Sequence, residues 1–179
     1  MLRHFIAVLG FSFALASSSF AADAPASFKV GEFTFQRATR WSWIESTSPM
    51  RKAQLKVVSV DGKETSEAVF YHFGPGHGGG VTANVERWFG QFQESRDKLE
   101  SKVEETKIAD RRVTFVQAQG TYLSGMPGGP KNAQPGTMLK GAILESDEGS
   151  VFIKMTGPLA QMKSLESDFR ALVQSALKK

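Results

Sequence analysis

Cysteine is absent from the 179-residue chain. That excludes disulfides, thiolate catalysis and cysteine-ligated zinc or iron–sulfur centres. It also excludes a lipid-anchored amino terminus, which is built on a cysteine at the cleavage point. Histidine is scarce, with three residues in all. An excess of one charge is lacking too: 22 Lys and Arg stand against 18 Asp and Glu, for a formal charge of +4. The bases are scattered among nearly as many acids with no aromatic interleaving, so nucleic acid is not an implied partner. Beyond the first two dozen residues no apolar run approaches the length of a membrane helix, and no integral membrane segment is expected. There is no H-E-x-x-H helix, no nucleophile elbow and no carboxylate pair in an apolar setting. Nothing in the sequence therefore implies a catalytic residue, a metal site or a cofactor.

What is there begins with a leader. Arg3 and His4 open the chain, an uncharged apolar stretch runs from Phe5 to Ala16, and Ser17 to Ser19 precede Ala21 and Ala22. Small residues at 19 and 21 predict a secretory signal peptide over residues 1–21, with Pro25 disfavouring a cut after Ala24. Residues 22–179 then form the exported chain, periplasmic or extracellular, as one domain with an ordered core at 27–178. Loss of Arg3 lowers the charge from +4 to +3. A chain of roughly 158 residues buries about two-thirds of its surface, enough for a core without disulfides.

The patterning is that of an α+β domain. FKVGEFTF (28–35) alternates as a strand or hairpin, and Trp41 and Trp43, two apart, share one face of a strand. AQLKVVSV (53–60) and EAVFYHF (67–73) pair around the Asp61-Gly62 turn. KVEETKIA (102–109) and RVTFVQAQGTYL (112–123) form a second hairpin around Asp110-Arg111. A Gly/Pro-rich loop, 124–136, leads to a third hairpin, 137–146 with 150–157. Val81, Val85, Trp88, Phe89 and Phe92 recur at i, i+4, i+7, i+8 and i+11. That stripe predicts a helix over 82–93, with Thr82 as N-cap and Gly90 a flaw inside it. A second helix follows Pro158, with Leu159, Met162, Leu165, Phe169, Leu172, Val173 and Ala176 on one stripe and Lys178 and Lys179 at its carboxyl end. Short turns and two helices predict a single twisted antiparallel sheet of about seven or eight strands, covered by the helices.

The stretch FGPGHGGGVTANVERWF (73–89) holds Gly74, Gly76 and Gly79 at G-x-G-x-x-G spacing between a strand and a helix. A dinucleotide site also needs a parallel βαβ unit with an acid closing the second strand about twenty residues on. That distance falls at Glu94–Arg96, still at the end of the helix, and Pro75 removes an amide donor. A P-loop would end in Gly-Lys-Ser/Thr, which is missing. Two readings remain. Free N–H groups ahead of a helix start could take a small anion, or the glycines simply allow a tight reversal from strand to helix. His72 and His77 would need a third donor to hold a metal.

FGPG-GG followed by N-x-x-RW (Asn84, Arg87, Trp88), with K-x-TGP ending at Gly157 and Pro158, resembles a group of uncharacterised bacterial secreted proteins. The arrangement is similar to the PsbP-like fold, which is shared by an extrinsic photosystem subunit and a Ran-binding release factor. The resemblance spans roughly residues 33–178 and rests most on Gly74, Pro75, Gly76, Gly78, Gly79, Asn84, Arg87 and Trp88. It implies an antiparallel sheet flanked by helices, used as an accessory or binding module rather than an enzyme. The chain lacks the thylakoid targeting of the photosynthetic members. The expected function is therefore an exported, non-enzymatic module for an envelope protein or glycan. The alternative is a small hydrolase-type enzyme, or an anion- or metal-binding protein, using the 72–80 loop. The glycine loop is the candidate contact surface, and the candidate binding residues are Gly74, Gly76, His77, Gly78, Gly79, Asn84, Arg87, Tyr122 and Lys131; if the two Gly/Pro-rich loops form one rim, His77, Arg87, Tyr122 and Lys131 line the shared groove.

Overall fold

The computed structural model describes residues 25–125 and 128–178; the predicted signal peptide lies outside them. A seven-stranded antiparallel sheet runs in the order β3-β4-β5-β9-β8-β7-β6. Its strands are β3 (Ser42–Trp43), β4 (Arg51–Val58), β5 (Thr65–His72), β6 (Glu100–Ile108), β7 (Arg111–Ser124), β8 (Asn132–Leu144) and β9 (Val151–Pro158). The three expected hairpins are present, and β9 closes the sheet by inserting between β5 and β8. FKVGEFTF folds as a hairpin of its own, β1 (Ser27–Val30) and β2 (Phe33–Gln36), forming a second small sheet.

Alternation along the strands divides the core in two. On one face Phe70, Val113, Phe115, Met138, Ile153 and Met155 meet the β1–β2 hairpin and the carboxyl-terminal helices α2 (Leu159–Ser164) and α3 (Glu166–Ser175). Phe28, Phe35 and Phe70 interlock there, with ring centroids 5.1 to 5.4 Å apart. On the other face Val116, Ala118, Leu139, Ile143 and Phe152 pack beneath one helix of nine residues, α1 (Val81–Phe89), through Val85, Trp88 and Phe89. Gly141 of β8 makes this close approach possible, because a Cβ there would lie 2.7 Å from Cε3 of Trp88.

Several local expectations need correction. Helix α1 ends at Phe89 with Gly90 as its C-cap, not at residue 93. Phe92 is buried as predicted, but in a bridge to Tyr122. The backbone of Gln91 and Gln93 bonds to Leu123 and Thr121 of β7 at 2.7 and 2.9 Å, so strand-like pairing wins over helix continuation. Gly80 rather than Thr82 occupies the N-cap, with no side-chain cap bond. Only Trp43 of the indole pair lies in a strand; Trp41 precedes it and is buried. The β6–β7 turn is built on Ala109 and Asp110, both at positive φ. The segment expected as a loop to residue 136 is paired strand from Asn132 onward. The terminal helix is interrupted at Leu165 (φ −94, ψ 7), and α3 has no basic residue in its last turn.

Candidate functional site

The glycine loop leaves β5 at the end of the sheet where His72 pairs with Val151 of β9. Gly74, Gly76, Gly78 and Gly79 all have φ between +72 and +88, the left-handed region that glycine adopts without a Cβ penalty. Gly78 also packs tightly, since a Cβ there would stand 2.7 Å from Phe73 and 2.9 Å from Phe152. The loop is fastened by Asn84, 3% exposed on α1. Its Nδ2 donates to the carbonyls of Gly78, Gly79 and Gly80 at 2.9, 3.3 and 3.0 Å. Arg87 Nη1 in turn donates to Asn84 Oδ1 at 2.8 Å, leaving the rest of its guanidinium at the surface. Asn84 is thus a structural clamp, and Arg87 steadies it.

The histidines do not converge. His77 Nδ1 lies 2.7 Å from its neighbour Pro75 O, and His72 Nε2 lies 3.1 Å from Glu148 O. Among the described residues no group of three or more His, Asp and Glu side chains is placed to hold a metal. Because β5 pairs antiparallel on both sides, the glycine loop also lacks the parallel βαβ setting of a dinucleotide site. Nor do the two Gly/Pro-rich loops form one rim. The glycine loop sits near Leu144 and Val151, whereas the turn bearing Lys131 lies beyond Ser124 and Asn132, at the opposite end of the sheet. Gly74, Gly76, His77, Gly78, Gly79, Asn84 and Arg87 stay together; Lys131 does not join them.

Tyr122 does join them, through residues that sequence reasoning passed over. Its Oη donates to Gln91 Oε1 at 2.9 Å, and Lys154 Nζ donates to the same Gln91 oxygen at 3.1 Å and to Tyr122 Oη at 3.2 Å. Two of the three, Gln91 and Lys154, line a cleft of about 160 Å³ together with Tyr71, Phe73, Asn84, Arg87, Trp88 and Phe152, and Tyr122 bonds to both from outside that lining. Burial pushes the Lys154 ammonium down to about 8, reinforced by the charge of Arg51 and opposed by Glu67. Burial likewise pushes the Tyr122 phenol up to about 12, and Tyr71 adds to that shift. The signal for Lys154 was a single cation inside the apolar run VFIKM, directly ahead of the TGP series.

Beside this cleft the sheet face stays open. Lys56, Thr65, Glu67, Thr137 and Thr156 border a shallow groove of about 570 Å³ at the end of the sheet away from the glycine loop.

No family model matches the chain, and no curated protein matches it. The fold is PsbP-like. The solution structure of cyanobacterial PsbP (CyanoP) from Synechocystis sp. PCC 6803 superposes with a TM-score of 0.52 at 11% identity. The match covers 89% of this chain and 96% of that one. At that identity the likeness is one of fold.

Proposed function

We propose that the chain is an exported, non-enzymatic binding or accessory module that meets its partner through the α1 side of the sheet. The observation that carries this reading is the unequal covering of the two faces. One is closed by a hairpin and two helices, while the other bears a single nine-residue helix and leaves a polar groove beside it. The glycine loop forms the rim at one end, with His77 and Arg87 exposed on it and Phe73 41% exposed beneath. Asn84 holds that rim in one conformation, and a preorganised surface loses little entropy on binding. The export part of the proposal rests on the leader sequence, and residues 22–179 are taken as the working domain. The partner class it fits is an envelope protein or glycan.

The test is affinity capture from the envelope extract of the source cells, using mature protein against Lys56→Glu and Arg87→Glu. Both side chains are exposed, so both variants should fold, with Lys56→Glu keeping the wild-type melting temperature and Arg87→Glu melting somewhat lower because Asn84 Oδ1 loses its donor. A partner retained by wild type and lost by at least one variant supports the module. A partner held equally by all three refutes this face. Turnover of simple ester, phosphate or glycoside substrates that disappears in His77→Ala would establish an enzyme instead.

A further inference from the structure

The sheet carries two partly or fully buried lysines, and they are treated differently. Lys140 on β8 points to the face under α3, is 3% exposed, and meets the Glu166 carboxylate. Arg170 bonds to Glu166 and Glu104 in the same cluster, so charge is balanced there. Lys154 on β9 points to the opposite face, between Val69 of β5 and Gly141 of β8. Its hydrogen-bond partners are the neutral oxygens of Gln91 and Tyr122. Arg87, the other charged residue lining the cleft, also bonds to a neutral oxygen, that of Asn84. Among the described residues neither Lys154 nor Arg87 makes an ion pair. Arg51, reaching from β4, adds a third positive charge close enough to act on the ammonium. Glu67 on β5 is the acid that opposes it, and it is engaged by Gln54.

A desolvated cation whose nearest acid makes no ion pair with it is costly to a fold, and an anion entering the cleft would offset part of that cost. The remaining lining defines what accompanies the charge. Tyr71 and Phe73 stack at 6.3 Å with an interplanar angle of 13°, Phe73 meets Phe152 at 6.1 Å, and Trp88 forms part of the same wall. Such walls suit a planar apolar body, whereas a strongly hydrated dianion would lose its water against them. At about 160 Å³ the cleft is smaller than pockets for drug-sized ligands, which start at about 300 Å³.

We propose that this cleft binds a carboxylate joined to a small planar apolar group, with the carboxylate between Lys154 and Arg87 and the apolar group against Tyr71, Phe73 and Phe152. The proposal deepens the binding-module reading and rests on it, since it gives that face a ligand chemistry. Two sources share the chemistry, a free aromatic acid and the carboxyl end of a chain finishing in phenylalanine.

The test is titration of the mature protein, followed by amide NMR, with phenylacetate, phenylacetamide, inorganic phosphate, and acetyl-Ala-Ala-Phe in its free and amidated forms. Expected are saturable shifts at cleft residues for phenylacetate or for the free peptide, and none for the two amides. Whichever saturates at lower concentration identifies the source. In Lys154→Met and Arg87→Gln the affinity should fall about tenfold or more, the usual consequence of losing a charged hydrogen bond. Arg87 is exposed, so its variant keeps the test decisive if Lys154→Met fails to fold. Absence of saturable binding by both acids overturns the proposal, as does equal binding of acid and amide, or phosphate binding that depends on the same two residues. Partner capture that still fails in Lys56→Glu while both acids fail to bind would leave the module reading standing and this cleft without a carboxylate role.

Discussion

Replacing Gly141 by alanine tests how α1 is seated, and so tests the wall of the cleft. Gly141 does not lie in the left-handed region, so alanine carries no backbone penalty, and in a strand interior Gly→Ala ordinarily stabilises by roughly 0.5–1 kcal/mol. Any loss must therefore be steric. The new Cβ would stand 2.7 Å from Cε3 and 3.1 Å from Cη2 of Trp88, with Cζ3 nearer still. The indole is 5% exposed and hemmed in by the sheet, so it cannot swing into solvent without emptying its site. Overpacking of this kind costs about 1–3 kcal/mol. Trp88→Ala alone should cost about 3–5 kcal/mol through lost burial and the cavity left behind. In the double variant the clash is gone and the added methyl fills part of the cavity. The double should thus be no less stable than Trp88→Ala, with a coupling of about 1–3 kcal/mol that pure additivity lacks. Urea unfolding followed by far-ultraviolet circular dichroism measures all three, independent of the fluorescence lost with Trp88. Additivity within about 0.5 kcal/mol, or a stabilised Gly141→Ala, would refute the packing argument.

Asn84→Ala should cost about 1 kcal/mol because the loop carbonyls of Gly78, Gly79 and Gly80, which are only partly buried, lose their donor. Asn84→Asp, which keeps the acceptor for Arg87 but lacks the amide hydrogens, should do no better by thermal melting. Relative to Lys154→Met, wild-type stability should rise as pH climbs from about 8 toward 10.5, because the unfolded lysine still holds the proton that the folded one has released. Above pH 10 the sign reverses relative to Tyr122→Phe, since the unfolded tyrosine ionises first while the folded one holds its proton to about 12. Urea midpoints against pH that run parallel in wild type and variants would contradict both assignments. Glu166→Gln should cost about 1.5–3 kcal/mol by stranding the Lys140 ammonium. Adding Lys140→Met should recover much of that loss, because an apolar replacement leaves no charge to strand.

Local signals made the strands, hairpins and α1 legible, because period-2 and period-3.6 patterns are written in adjacent residues. The helix end was missed for a tertiary reason. Phe92 continues the apolar stripe, but the edge of β7 near Gly120 offers hydrogen bonds that the last turn of a helix would forgo, and Glu94 accepts from Thr121 N at 2.9 Å. Asn84 and Arg87 were found through the resemblance carried by the N-x-x-RW series that follows the glycine loop. Lys154 was not, although it stands in the K-x-TGP series, because its meaning depends on strand order. TMLKGAIL and VFIKMTG each carry one lysine in an apolar run, and nothing within either segment tells which ammonium will face Glu166 and which will face Gln91. The insertion of β9 between β5 and β8 decides it, and that is a long-range event.

The same insertion explains why the cleft lies where it does. Placing β9 at the centre aligns Val69, Lys154 and Gly141 in one cross-strand row. Gly141 lets the Trp88 ring lie close against the sheet, where it lines the same cleft as Lys154. The glycine loop must then carry the chain from the end of β5 to the start of α1 within eight residues, 73–80, a path that requires several positive φ values in succession. Such a loop would be floppy on its own, since glycine has the most conformational freedom to lose. Asn84 removes that freedom by binding three consecutive carbonyls from within the helix the loop leads to. The rim is therefore held by α1 through Asn84, while the lysine in the cleft is placed by the insertion of β9. A variant that loosens the clamp, such as Asn84→Ala, should weaken ligand affinity and loop protection against hydrogen exchange together. Loss of protection with unchanged affinity would separate the two and place recognition on the sheet alone.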